Sequence, residues 1–425
     1  MIKIALLFPG QGSQYNMMGK ALIESSPEVR DIFQRTNDIL GYDLLAIINE
    51  GNLEQLTRTE HAQPAIFAYS YAIFQSIWKE KKFFPSFMAG HSLGEFTALT
   101  CAEVFRYEDA LRLVMERATI MQQATADGFG GMAAINGLHP LLVEEECERV
   151  SNGEDKIVVA NYNSSNQVVI SGAKSLVKVA MENLAKIGAI TIPLQVSAPF
   201  HTPYLELSNQ MFQRAIAQTA MSKLQWPVIS NVDAKPYYHP TEIQERLNVQ
   251  MISAVRWKET IEYMLRQGVN TFIELGPKSA LTNLLKRDYS HVRAYSYEDN
   301  YQEIMAVIDE QTAEKRPSVV SRSLAIAVCT RNQNWNEEEY QKGVIEPYRK
   351  IQALGNKLEE EGREESIDEI KQAIEMLRSV FVTKKVSLEE QRERFTQIFD
   401  ETKKRHLFDD LAPVMFAEKE AVNEK

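Results

Sequence analysis

Gly90-His91-Ser92-Leu93-Gly94 has the form G-x-S-x-G, with an apolar stretch before it and Glu95-Phe-Thr-Ala-Leu99, a plausible helix, after it. A nucleophile elbow needs that context. A tight strand-to-helix turn holds the serine in a strained conformation, small flanking residues avoid a clash, and the helix N-terminus favours nearby negative charge. The chemistry is nucleophilic catalysis through a covalent serine intermediate, and such a serine needs a base. The candidates are His61, His91, His139, His201, His239, His291 and His406. His91 adjoins the serine, but neighbours at an elbow point apart. His201, in Val196-Ser-Ala-Pro-Phe-His-Thr202, follows a predicted strand and could reach across a cleft. A third element, Phe8-Pro-Gly-Gln-Gly-Ser-Gln14, follows the first predicted strand. Glycines on either side of Gln11 let backbone donors approach a ligand. The loop lacks the G-x-x-x-x-G-K-[ST] spacing of a P-loop. An oxyanion hole, which needs only one or two placed donors, is its better use.

Elements able to hold these residues can be read along the chain. Ile2–Phe8 and Phe87–Ala89 read as buried strands, Ala65–Trp78 and Ala110–Gln123 as helices, an alternation that favours a largely parallel sheet. From residue 130 the order is strand (Gly131–Ile135), helix (Leu141–Val150), strands (Ile157–Asn161 and Gln167–Ser171), helix (Ser175–Ile187), strand (Ile190–Val196), a split ferredoxin-like pattern. Val228–Val232 and Thr271–Leu275 are again strand-like, and Ser279–Lys286 helix-like. The pattern lapses around Thr312–Arg322. Beyond it, apolar stripes at spacings of three and four (Val344, Tyr348, Ile351, Leu354, Leu358; Ile367, Ile370, Ile374, Leu377, Phe381; Leu388, Phe395, Ile398, Phe399) predict helices. The expected class is α/β. It comprises a large α/β-hydrolase-like parallel-sheet subdomain (1–129 and 198–300), an inserted ferredoxin-like subdomain (130–197), a linker (301–322) and a helical C-terminal extension (323–425).

The bulk numbers agree with such an organisation. A chain of 425 residues is too long for one ordinary core, and 44% hydrophobic with 25% charged residues is a globular balance. A formal net charge of -11 argues against nucleic-acid binding, which needs a basic face. Cys101, Cys147 and Cys329 have neither metal spacing nor a disulfide framework, and predict free thiols in a reducing cytoplasm. Pro9-Gly10 ends the first apolar run before a signal-peptide core forms, and no apolar run reaches the roughly 18 residues of a membrane span.

Taken together, Phe8-Pro-Gly-Gln-Gly-Ser-Gln14, Gly90-His-Ser-Leu-Gly-Glu95 and Ala198-Pro-Phe-His201 resemble the malonyl-CoA:acyl carrier protein transacylase family, which includes stand-alone acyltransferases of polyketide synthesis. Their order and spacing are those of that family, over about residues 1–290. The resemblance implies Ser92 as nucleophile and His201 as base, in a Ser-His dyad whose histidine is oriented by the main-chain carbonyl of Gln250. It implies an oxyanion hole of the Leu93 and Gln11 backbone N–H groups, and Arg117 as the partner of the malonyl carboxylate. Ala118 stands where the family more often has glycine, a small departure on a helix. Asn161, Asn163 and His91 are candidate substrate contacts, and Phe200 resembles the bulky residue of malonyl-selective members.

The implied activity is ping-pong transfer of malonyl from malonyl-CoA to an acyl carrier protein or to carrier domains of a synthase, supplying polyketide or fatty acid synthesis in trans. No metal or organic cofactor is implied, since phosphopantetheine arrives on the partner. Both partners being acidic, a local basic patch must attract them. Two alternatives share the motifs: a proofreading acyl hydrolase, to which a buried Arg117 offers nothing, and an idle scaffold, which the intact dyad opposes. The last 120 residues or so show no catalytic pattern and depart from the resemblance.

Overall fold

Every residue of β1 (Ile4–Phe8) is buried, which is why it reads as an unbroken apolar run. The computed structural model describes residues 2–123, 128–153, 155–194, 198–313, 317–361, 363–402 and 404–416. Its further strands are β2 (Pro85–Gly90), β3 (Gly130–Asn136), β4 (Ile157–Tyr162), β5 (Gln167–Ala173), β6 (Ile190–Pro193), β7 (Val228–Ile229), β8 (Thr271–Glu274) and β9 (Arg293–Ser296). They form two sheets. One is parallel throughout, in the order β7-β2-β1-β8-β9. The other is antiparallel, in the order β4-β5-β3-β6. Two helices, Pro140–Val150 and Lys174–Lys186, complete the strand-helix-strand-strand-helix-strand unit around the second sheet. The fold is therefore mixed α/β with a parallel sheet, a ferredoxin-like sheet and a helical C-terminus.

Three helices of the large sheet concern the site. Thr59–Glu80 and Tyr107–Gln123 pack on each other, and Leu93–Cys101 is buried at every position. The last follows β2 directly, and β1 and β2 pair in register from Ala5↔Phe87 to Phe8↔Gly90, so the loops after both strands leave the sheet side by side.

The chain divides into two compact units, Met1–Ala313 and Glu314–Lys425. That division corrects the expected linker over 301–322. Tyr301–Ala313 is a helix of the first unit, and Val319–Cys329 already belongs to the second. Ile304, Met305, Val307 and Ile308 join the main core, an apolar face that a polar ending at Thr312–Arg322 concealed. Gln311 takes the Phe84 N–H at 3.1 Å and donates to Phe84 O at 3.0 Å. Other differences are small. β7 ends at Ile229 and not Val232, β6 ends at Pro193, and residues 195 and 196 of the expected last strand lie outside the described residues.

The second unit has its own core, including Ile351, Ile374, Leu377, Phe381, Phe395 and Phe399. Buried charges hold both ends of its helix Val319–Cys329. Glu365 accepts from the N–H groups of Val319 and Val320 at 2.6 and 2.9 Å, while Lys384 donates to Ala327 O and Thr330 O at 2.8 and 2.9 Å. Each sign suits the helix dipole.

A truncation experiment follows. A chain ending after Ala313 should remain folded and take up acyl groups on Ser92. One ending after Asn300 removes four buried apolar side chains, each worth about 1.5–3 kcal/mol, which is comparable with the whole stability of a domain. Thermal unfolding of the two proteins checks this; equal midpoints would show that the helix is dispensable.

Candidate active site

The elbow has the strain that its motif announces. Ser92 sits at φ 53° and ψ −103°, in the left-handed half of conformational space that a side chain rarely adopts. The flanking glycines are required by contact. A Cβ on Gly90 would lie 1.8 Å from Gly94 C, and one on Gly94 would lie 2.0 Å from Phe8 O. The turn is pinned from outside by Asn231, whose Oδ1 accepts from Ser92 N at 2.7 Å and whose Nδ2 donates to Gly90 O at 2.7 Å.

Ser92 Oγ lies 2.8 Å from His201 Nε2. On its other side, His201 Nδ1 is 3.0 Å from both Gln250 O and Ser253 O. Carbonyls only accept, so Nδ1 carries the proton and Nε2 is left as a bare acceptor for the serine hydroxyl. Two main-chain carbonyls thus do the orienting for which other dyads use a carboxylate. Burial, and then the nearby Arg117 charge, push the His201 pKa down to about 3. The imidazole is neutral, and so competent as a base, throughout the physiological range.

Arg117 is 1% exposed. Its Nη1 donates to Gln63 Oε1 at 2.8 Å, and its Nη2 to Ser92 Oγ at 2.9 Å and Gln250 Oε1 at 3.1 Å. Its Nε has no partner among the described residues, and its guanidinium carbon lies 5.5 Å from the Phe96 ring centroid. Desolvation lowers its pKa to about 10 against the opposing pull of Glu95, so it remains a cation. A buried guanidinium with spare donors beside a nucleophile can receive an anion.

Ser92, His201, Arg117, Gln11, Leu93, His91, Asn161, Asn163 and Phe200 all line one cavity of about 480 Å³, within the usual size for a small-molecule site. Met132, Ala134, Gln167 and Val169 of the antiparallel sheet form its opposite wall. Gln250 stands behind this lining, at 1% exposure, and acts through its carbonyl and its amide. Asn163 is engaged by its neighbours. Its Oδ1 meets His91 Nε2 at 2.8 Å, and its Nδ2 donates to Gln167 Oε1 at 3.2 Å. That leaves Asn161 the freer of the two amides.

Sequence reasoning missed Gln63, Glu95, Asn231, Tyr237 and Ser253. Glu95 alone carried a signal: it is the one acidic residue of the apolar stretch Phe87–Ala102, and a lone carboxylate in a buried helix must find partners. It accepts from Tyr237 Oη at 2.6 Å, Gln250 Nε2 at 2.8 Å and Asn231 N at 3.2 Å.

Comparison with known proteins gives the following. Residues 5–311 match the sequence profile of the acyl transferase domain family. A malonyl CoA-acyl carrier protein transacylase of Bacillus subtilis is 33% identical over 395 residues, covering 92% of this chain and 99% of its own. A match of that extent runs beyond Ala313, so the helical extension is shared with this relative and is not a departure from all such proteins. Among solved structures, the malonyl CoA-acyl carrier protein transacylase of Coxiella burnetii is 36% identical with a TM-score of 0.71, covering 73% of this chain and 98% of that one. A malonyl-transacylase solved in complex with its type II PKS acyl-carrier protein is 37% identical with a TM-score of 0.69, covering 72% and 99%.

Proposed function

The chain belongs to the acyl transferase domain family, and from that membership we propose that it is a malonyl-CoA:acyl carrier protein S-malonyltransferase working through a malonyl-serine intermediate. The observation that carries the assignment is the buried Arg117, with Nη2 2.9 Å from Ser92 Oγ and Nε unpartnered. Burying a carboxylate without a partner is costly, and a planar guanidinium meets both of its oxygens at once. A hydrolase of neutral acyl groups has no use for such a cation.

The reaction runs in two halves on the same groups. Ser92 Oγ attacks the malonyl thioester carbonyl as its proton passes to His201 Nε2. The backbone N–H groups of Leu93 and Gln11 hold the oxyanion, and both residues line the cavity beside the nucleophile. Coenzyme A leaves as the thiol, with the proton from His201. The phosphopantetheine thiol of the carrier protein then gives its proton to His201 and attacks the malonyl-Ser92 ester, which restores the serine. Every step as written uses protein groups, without metal or organic cofactor. Phe200, buried at the cavity wall, leaves malonyl room and crowds an α-branched acyl group.

The malonyl units supply polyketide or fatty acid synthesis in trans. The likeness to a type II PKS malonyl-transacylase supports the first of these. We assign the protein to the cytoplasm, where Cys101, Cys147 and Cys329, all free, stay reduced. Among the described residues no helix is long and apolar enough to cross a membrane.

Intact-protein mass spectrometry after separate mixing with malonyl-CoA, acetyl-CoA and methylmalonyl-CoA tests the assignment. A malonyl adduct should form on Ser92 far faster than the other two, and disappear when a carrier protein bearing phosphopantetheine is added. Acetyl loading as fast as malonyl loading would sink the assignment.

A further inference from the structure

Glu95 is fully buried beneath the elbow, outside the cavity lining, and the reaction as written does not use it. Its place relative to Arg117 is specific. The Gln250 amide lies between them, giving Nε2–H to Glu95 Oε2 at 2.8 Å and taking Arg117 Nη2–H on Oε1 at 3.1 Å. The acid and the base are thus one amide apart, and among the described residues no carboxylate touches Arg117 directly. The guanidinium is compensated without being capped, which leaves its free donors for another anion.

We propose that Glu95 is the resident counter-ion of Arg117 and yields that role to the carboxylate of the bound malonyl group, taking up one proton from solvent as it does so. The proposal rests on the reading that Arg117 pairs with malonyl. With Arg117 and Glu95 both charged, the empty site is neutral. Adding the malonyl carboxylate would leave one uncompensated negative charge in a region screened from water, where like charges repel strongly. A proton on Glu95 removes that charge.

The surroundings permit the change. Burial holds the Glu95 pKa up at about 7, against hydrogen bonds from Tyr237, Gln250 and Asn231 and the charge of Arg117. A malonyl carboxylate that neutralises Arg117 weakens the last of these and moves the pKa further up. Of the three donors on Glu95, only the Tyr237 hydroxyl can reverse and accept, since the Asn231 N–H and the Gln250 amide NH₂ only donate. The other charged and titratable groups bearing on the pair are Arg246, 5.1 Å from the Tyr237 ring centroid, and His201, which burial and then the Arg117 charge keep neutral.

Acylation itself neither takes up nor releases a proton: the serine hydroxyl and the thioester give an ester and a thiol. Net uptake therefore reports on the pair. The experiment is a single turnover of the whole protein at pH 8 in weak buffer with an indicator dye, with malonyl-CoA and with acetyl-CoA, scaled to the acyl-enzyme seen by mass. The wild type should take up about half a proton or more per malonyl-enzyme and almost none per acetyl-enzyme. Its malonyl-to-acetyl rate ratio should fall as pH rises through Glu95 ionisation, by up to about tenfold per unit. Glu95→Gln should abolish the uptake and flatten the ratio against pH.

Equal uptake with both substrates in the wild type overturns the proposal, as does malonyl-specific uptake that persists in Glu95→Gln. Should that variant fail to fold, the wild-type comparison decides alone. If Arg117→Gln leaves malonyl preference intact, the reading of Arg117 has failed; if preference depends on Arg117 while uptake is equal, only the exchange of counter-ions has failed.

Discussion

Ser92→Ala leaves no malonyl adduct on the protein, and His201→Ala slows acylation by about 10²–10⁴-fold, the usual contribution of a positioned general base. The difference in severity follows from their roles. Without the serine oxygen there is no atom to hold the acyl group. Without the imidazole the hydroxyl keeps its proton, but Arg117 and the backbone donors still surround the thioester. The pH dependence shows whether that imidazole is free or held neutral. A free imidazole protonates near pH 6.5, whereas His201 is held at about 3 by burial and Arg117. Lowering the pH from 8 to 5 therefore does not protonate it, and wild-type acylation of Ser92 should show no loss attributable to a group near 6.5. Rapid-quench rates followed by intact mass provide the measurement. A malonyl adduct on Ser92→Ala places the nucleophile elsewhere, and a near-normal rate for His201→Ala at neutral pH removes it as the base.

How much of the site could be read from the chain depends on how local each contact is. The elbow is legible because its requirements lie within five consecutive residues, Gly90–Gly94, whose glycines are fixed by contacts under 3 Å. The layer that supports it is not. Asn231 meets Ser92 across 139 positions, Gln250 meets Glu95 across 155, and Ser253 meets His201 across 52. Isolated amides, a tyrosine and a serine carry no spacing that distinguishes these partners from surface polar residues. The same holds for the fold. Long apolar runs such as β1 and the period-3.6 stripes announce themselves, while β9, short and with alternate residues half-exposed, does not. The helix Tyr301–Ala313 reads as linker in sequence because polar residues crowd its end, although Ile304 and Ile308 are fully buried.

Arg117→Gln should lose most malonyl loading while acetyl loading holds or rises. The loss has a simple origin: removing one partner of a buried charge pair costs roughly 3–5 kcal/mol, or about 10²–10⁴-fold in selectivity. The gain comes through His201. In the empty site the guanidinium stands beside both members of the dyad, donating to Ser92 Oγ at 2.9 Å and lowering the basicity of His201. An imidazolium must form as Ser92 attacks, and an adjacent cation with no anion in direct contact opposes it. On the reading proposed above, a malonyl carboxylate pairs with Arg117 and lifts that opposition, so the substrate itself should make His201 a better base. An acetyl group brings no anion, and the dyad stays suppressed. Selectivity then has two additive parts, binding of the carboxylate and relief of the base, and both vanish together in the glutamine variant. The measurement is the ratio of acyl-enzyme formation rates with malonyl-CoA and acetyl-CoA, in wild type and variant, at a pH where the variant remains folded. A ratio left unchanged by the substitution would mean that Arg117 reads no carboxylate. A ratio that falls only because malonyl slows, with the acetyl rate unchanged, would retain the pairing and dismiss the effect on His201.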